Sequence, residues 1–356
     1  MNEAEEYINF RNGLLNINTM RLEPHTPQIF STIQIPCDWK NEDIPTPVFD
    51  RFISTFTENN RQKAQLLLEY IGAVISNIYG YRFKKCMFLV GEGNSGKSLI
   101  SALINRLIGT DNSSERSLKR MSERFGETAV YMKRFVYSGD LSFMKIDQMD
   151  RFKELTGGDT ISVEYKNQEP FDYQFRGLML FGMNALPKFG GDKGIHVYER
   201  MLILKCDNVI PKSQQDPYLI NKLFDEREGI IRKCILSLRS VIENNFQFHI
   251  PDECKINIEE YQHDNSSVIE FWQECIEPCI DPETCINKSS EVYQTFQQWC
   301  KNNGLHFIPS SNEFATEISQ LLKLKWKFEI VHKKKNGMYL KNYKLNENGL
   351  EIWRYL

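Results

Sequence analysis

No apolar run in this 356-residue chain is long and unbroken enough to cross a bilayer, which takes about 20 residues, so a membrane protein is not expected. Excess charge of one sign is missing too. The 44 basic and 47 acidic side chains leave a net −3, which excludes a protein coated with basic surface and confines any nucleic-acid contact to local patches. The nine cysteines make no framework and no CxxC pair, and no charged-then-apolar leader opens the sequence. The expectation is a cytoplasmic protein in a reducing compartment. Cys275, Cys279 and Cys285 lack zinc spacing and a close histidine partner and read as ordinary thiols, while His249, His263 and His306 form no catalytic arrangement. What is present, 41% hydrophobic and 26% charged residues, is the balance of a globular chain with length for two or three domains.

Against that background one stretch stands out. Met87, Phe88, Leu89 and Val90 form a short apolar strand that empties into Gly91-Glu92-Gly93-Asn94-Ser95-Gly96-Lys97-Ser98, a complete phosphate-binding loop. The glycines let the backbone wrap closely, so that successive N–H groups face the phosphates at the start of the next helix. Lys97 is placed to reach the β and γ phosphates and the Ser98 hydroxyl to help hold Mg²⁺. Leu99, Ile100, Leu103, Ile104 and Leu107 then recur with helical spacing. Nucleotide binding, with ATP and Mg²⁺ as cofactors, follows.

The organisation around the loop is legible in outline. Residues 1–80 read as a small α+β region: short extended pieces broken by Asn12-Gly13, Pro24, Pro27, Pro36, Pro45 and Pro47, then one long helix from Glu58 to Tyr79. Residues 81–207 read as the core, in which Phe135–Ser138, Leu178–Met183 and Met201–Lys205 join the loop strand in a mostly parallel sheet. A hairpin from Ile161 to Phe175, tipped by Lys166, Asn167 and Gln168, projects from it. Residues 208–265 read as a helical extension. Residues 266–356 hold helices at Val268–Cys275 and Glu291–Cys300 and a third after Ser310, with Ser310 and Glu313 forming a capping box. Strands at Lys327–His332 and Met338–Leu345, joined through Asn336-Gly337, complete the pattern of a winged helix. Lys323 to Lys344 carries eight lysines against one acid, Glu329, so Lys333, Lys334 and Lys335 are candidate DNA contacts, unless the segment is simply a solvated hairpin.

Hydrolysis also needs an acid that holds metal or orients water, a polar group that senses the γ phosphate, and a cation for the developing charge. Asp140, just past an apolar strand, is the acid candidate. Asn184, ending Leu178–Met183, is the sensor candidate, with an Asn turn before Pro187 as the plainer reading. Arg200, opening the last core strand after Gly190, Gly191 and Gly194, is the cation candidate, placed to project into a neighbouring subunit's site unless it is a strand-edge charge.

The order Lys97, Asp140, Asn184, Arg200 resembles that of the superfamily 3 helicases, most closely the helicase portion of phage, plasmid and poxvirus primase-helicases. Asn12-Gly13-Leu14-Leu15-Asn16 with Pro24-His25-Thr26-Pro27, Arg124-Phe125-Gly126, Leu155-Thr156-Gly157-Gly158-Asp159 and Asn184-Ala185-Leu186-Pro187 are similar to that family's signatures, as are Tyr293, Phe296, Trp299, Cys300 and Gly304. The resemblance implies an α/β fold with an AAA+-type P-loop core and a carboxy-terminal winged helix. It also implies a replicative helicase of a phage, plasmid or genomic island, working in a bacterial host cytoplasm as a homohexameric ring. Such a ring moves 3′ to 5′ on single-stranded DNA at replication forks and hydrolyses ATP between subunits. Carried over by position, Lys166, with Asn167 and Gln168 beside it, is the DNA contact of the hairpin.

Three departures qualify this. Gly139-Asp140 stands where many relatives have two acids, and Glu199-Arg200 where a pair of arginines is common. About 80 residues precede the core, too few for a primase site, so priming would fall to a separate primase or to another part of a longer protein. The competing readings are an ATPase serving as an origin-binding assembly switch and another DNA- or protein-remodelling motor.

Overall fold

A computed structural model describes residues 4–121, 123, 125–141, 145–146, 149–189, 195–279, 287–305, 308–325, 339–340 and 343–355. They fall into two compact units, Met1–Lys188 with Gly194–Glu259 and Phe189–Lys193 with Glu260–Leu356. No helix among the described residues is long and apolar enough to cross a membrane.

The first unit opens with three short antiparallel strands, β1 (Tyr7–Phe10), β2 (Gly13–Asn16) and β3 (Arg21–Glu23). Helix α1 (Pro47–Phe56) follows. Pro45 and Pro47 read as breakers in the sequence, but Pro47 occupies the first helical turn, where its missing N–H is no loss. The single long helix expected from Glu58 to Tyr79 is shorter. Helix α2 (Arg61–Ile75) starts where the Asn60 side chain accepts the Gln62 and Lys63 N–H groups and stops where Ser76 turns extended. A one-turn α3 (Gly80–Phe83) leads into the core.

That core is a mixed α/β layer on a five-stranded parallel sheet. In chain order it comprises β4 (Cys86–Val90), α4 (Lys97–Ile108), β5 (Ser113–Glu115), α5 (Leu118–Met121), β6 (Phe135–Leu141), β7 (Lys145–Ile146), α6 (Asp150–Gly157), the hairpin strands β8 (Thr160–Val163) and β9 (Phe171–Gln174), β10 (Leu178–Met183), β11 (Lys188–Phe189), α7 (Ile195–Tyr198) and β12 (Met201–Lys205). The sheet order is β12-β4-β10-β6-β5. Central β4 and β10 read as continuous apolar runs because both faces are covered. Helices α8 (Leu219–Asp225), α9 (Arg227–Glu243) and α10 (Asp252–Asp264) follow. Most of residues 208–218, expected to be helical, is irregular. Helix α9 lies tight on α2: a Cβ at Gly72 would stand 2.2 Å from the Cys234 carbonyl oxygen.

In the second unit α11 (Ser267–Cys275), α12 (Ser289–Asn302) and α13 (Ser311–Lys325) match the three expected helices. The capping box is real: Ser310 N donates to Glu313 Oε2 at 2.7 Å and Glu313 N to Ser310 Oγ at 3.3 Å. Strand β13 (Ile276–Pro278) pairs with β16 (Tyr343–Leu345), β14 (Asn287–Lys288) with β15 (Tyr339–Leu340), and α14 (Glu347–Arg354) closes the chain. The first expected wing strand and Lys333, Lys334 and Lys335 lie outside the described residues. Cys279 is disulfide-bonded, contrary to the thiol expectation, while Cys275 is free and buried.

Candidate nucleotide site

The register of the sheet brings the functional loops to one edge. Val90 pairs with Met183 on one side and Lys205 on the other, and Met183 in turn with Leu141 after a bulge, so four strands end together. Residues following parallel strands at such an edge are where open α/β sheets bind ligands.

Backbone sterics shape the loop after β4. A Cβ at Gly91 would lie 2.1 Å from the Cys206 carbonyl oxygen, so only glycine fits. Asn94 at φ +64° and Gly96 at φ +90° turn the chain left-handed into α4. Gly91 N donates to Met183 O at 3.1 Å and Ile210 N to Asn94 O at 3.0 Å, tying the loop to both neighbouring segments. Lys97 is buried, its Nζ donating to Gly91 O at 2.6 Å, Glu92 O at 2.7 Å and Ser95 Oγ at 3.1 Å. Ser98 is exposed and its Oγ donates to Gly139 O at 3.0 Å. Burial pushes the neighbouring Cys206 thiol up to about 12, so it stays neutral beside the loop.

The loop opens onto a cavity of about 970 Å³ that residues Gly93 to Leu99, Gly139 and Asn184 line together. The structure thus gathers the loop, the backbone preceding Asp140 and the exposed Asn184 at one place. Asp140 itself lies in β6. Ser98 Oγ and Gly139 O bring two oxygens together at the mouth of the loop.

Arg200 is not in that group. Its carbonyl accepts from Cys86 N at 2.8 Å, at the opposite end of β4 from the loop. The five residues of β12 separate it from the loop edge, a strand length of about 16 Å. Its guanidinium donates to His196 O at 3.2 Å, Lys153 O at 3.2 Å and Thr156 Oγ1 at 3.0 Å, holding the end of α6. The hairpin is also apart from the cavity. Strands β8 and β9 pair from Thr160↔Gln174 to Val163↔Phe171, and the exposed tip turns through Asn167 at φ +63°. Lys166 is the sole cation from Thr160 to Gln174, among Glu164, Glu169 and Asp172.

Sequence reasoning missed the cavity's second wall. Pro47, Val48, Arg51, Phe52, Thr55 and Phe56 of α1 line it together with residues of the 208–222 segment, including Asp216 and Lys222. The available signal was Pro47 opening an apolar period at Val48, Phe52 and Phe56.

The fold and loop define a P-loop-like α/β core, and comparisons with known proteins place segments of it. Residues 1–58 match a family described as D5 N terminal like, residues 89–200 a family of unknown function (DUF5906), and residues 263–352 one described as poxvirus D5 protein-like. The chain is thus D5-like at both ends. An uncharacterized mitochondrial protein, ymf21, of Marchantia polymorpha is 26% identical over 138 residues, covering 35% of this chain and 75% of that protein. Two apo structures of the NrS-1 C-terminal region align with TM-score 0.48. The A form is 14% identical over 80% of this chain and 63% of its own. The A form of residues 305–718 is 11% identical over 86% and 77%. This chain therefore spans less than two thirds of the first of these.

Proposed function

We propose that the chain is the ATP-driven helicase of a mobile-element replication system, a superfamily 3, AAA+-type motor with a winged-helix second unit that forms a ring and moves 3′ to 5′ on single-stranded DNA. The observation that carries this is the phosphate loop opening, with Gly139 and Asn184, onto one cavity at the carboxyl edge of a parallel sheet. The D5-like matches at both ends support the replication setting.

In this reading Lys97 leaves the loop carbonyls for the β and γ phosphates, and Asn184 senses the γ phosphate. Ser98 and Asp140 hold Mg²⁺, which when bound neutralises charge on the phosphates. Arg200, a strand's length from its own loop, serves the site of an adjacent copy. Lys166, Asn167 and Gln168 contact DNA at the hairpin, and Lys333, Lys334 and Lys335 add phosphate contacts. With three acids around it, Lys166 works as a single contact rather than as part of a basic field.

Turnover and fork unwinding by the full chain test the reading. Lys97→Ala loses both, whereas Lys166→Ala keeps basal turnover and loses its stimulation by single strands. Mixing inactive Lys97→Ala and Arg200→Ala chains restores part of the turnover, because some seams in a mixed assembly are intact. A wild type that binds DNA but never unwinds a fork with a 3′ tail favours the assembly switch instead, and no recovery on mixing refutes the shared site.

A further inference from the structure

The cavity is larger than a phosphate chain needs, at the upper end of the roughly 300–1,000 Å³ typical of small-molecule clefts. Its remaining wall is α1, and three contacts fix that helix. The Glu226 carboxylate, between α8 and α9, accepts from Val48 N at 3.0 Å and Phe49 N at 2.9 Å, capping the helix that Thr46 leaves uncapped. Asn208 Nδ2 donates to Thr55 O at 2.8 Å at the other end. Against the loop, a Cβ at Gly96 would stand 3.1 Å from Phe56 Cδ2 and 3.6 Å from Phe52 Cε2.

The two rings differ. Phe56 is buried, whereas Phe52 is half-buried at the cavity wall, 5.9 Å from it between centroids. The charges also differ. Lys222 is paired with Asp216 at 2.6 Å, while Arg51, exposed at the same wall, has no hydrogen bond or ion pair among the described residues. An anion held at the loop therefore has one uncommitted cation and one ring face ahead of it.

We propose that α1 is the nucleoside wall of the nucleotide site, with the Phe52 ring stacking on the base and Arg51 adding a cation to the phosphate chain. Glu226 is a positioning residue that sets the helix. The inference rests on the loop binding a nucleoside triphosphate, as proposed above, and it gives the D5 N terminal like segment, which ends with α1, a direct part in that site.

Calorimetric titration of the full chain with ATP and, separately, with inorganic tripolyphosphate tests it. Phe52→Leu, which keeps apolar packing on Phe56, weakens ATP about tenfold, as loss of a stacked base does, and leaves tripolyphosphate unchanged; Phe52→Tyr binds ATP as wild type does. Arg51→Ala weakens both ligands severalfold without loss of thermal stability. ATP binding unchanged in Phe52→Leu overturns the stacking role, and equal loss of both ligands in that variant reduces α1 to scaffold. A wild type that binds neither ligand refutes the nucleotide reading itself, which is a different result.

Discussion

Replacing Arg134 with methionine tests how the amino-terminal helices are coupled to the strands that carry the site. Arg134 is 4% exposed and precedes β6. Its guanidinium donates to Val74 O at 3.0 Å, to Ala73 O and Ile78 O at 2.6 Å each, and to Arg176 O at 2.5 Å. Its carbonyl accepts from Leu178 N at 3.0 Å, so one residue ties the end of α2 to the start of both β6 and β10. Without the guanidinium, Ser76 Oγ still serves Ala73 O and Gly80 N still serves Arg176 O. The loss falls on the Val74 and Ile78 carbonyls. At about 1–3 kcal/mol for each buried acceptor left unpaired, the variant is less stable by roughly 4 kcal/mol, a fall in Tm of about 8–16 °C for a unit of this size. Differential scanning fluorimetry reads it, with nucleotide binding at low temperature as the control for local damage to the loop. A Tm within 2 °C of wild type refutes the assignment of these bonds as the link.

Two further expectations follow from particular contacts. Gly91→Ala, forced against the Cys206 carbonyl, costs about 1–3 kcal/mol as overpacking does, while Gly93→Ala, with nothing within 4 Å of its new Cβ, keeps the wild-type Tm; equal effects refute the steric account. Burial alone would raise the Glu5 carboxyl, but the bonds from Arg82 and Tyr79 N–H outweigh it and hold the group below its ordinary 4.5. The stabilisation is therefore complete above pH 4.5 and lost as pH falls through the lower folded value. Glu5→Gln lowers the unfolding free energy by less than about 1 kcal/mol at pH 6, the scale of a partly exposed pair, and the difference from wild type shrinks as pH falls below 4.5; a difference that does not change with pH counts against the pair.

Much of the glycine-rich loop after β4 and its sheet is written locally. A continuous apolar run followed by closely spaced glycines has few backbone solutions, so β4, the loop and the start of α4 can be read from consecutive residues, and the same holds for β10, β12 and the hairpin. What resists reading is assembled from distant segments. The rest of the cavity lining joins residues 47–56 to 208–222, and no periodicity links the two. Proline was the wrong cue at Pro47, where it starts a helix instead of breaking one. Arg134 looks like any surface cation until four carbonyls are seen to converge on it. The position of Arg200 at the far end of its strand also needed the pairing of β4 with β12, which a chain order cannot provide.

If the loop binds a nucleoside triphosphate as proposed, the acceptors Gly91 O, Glu92 O and Ser95 Oγ around Lys97 Nζ have a consequence for turnover. The ammonium is already solvated by its own backbone, so an arriving phosphate competes with Gly91 O, Glu92 O and Ser95 Oγ and does not meet a bare charge. Binding becomes an exchange of partners whose net gain is smaller than the ion pair suggests. On that reading the same acceptors stand ready to take the lysine back when product leaves, which favours quick emptying of the site over tight retention of a spent nucleotide.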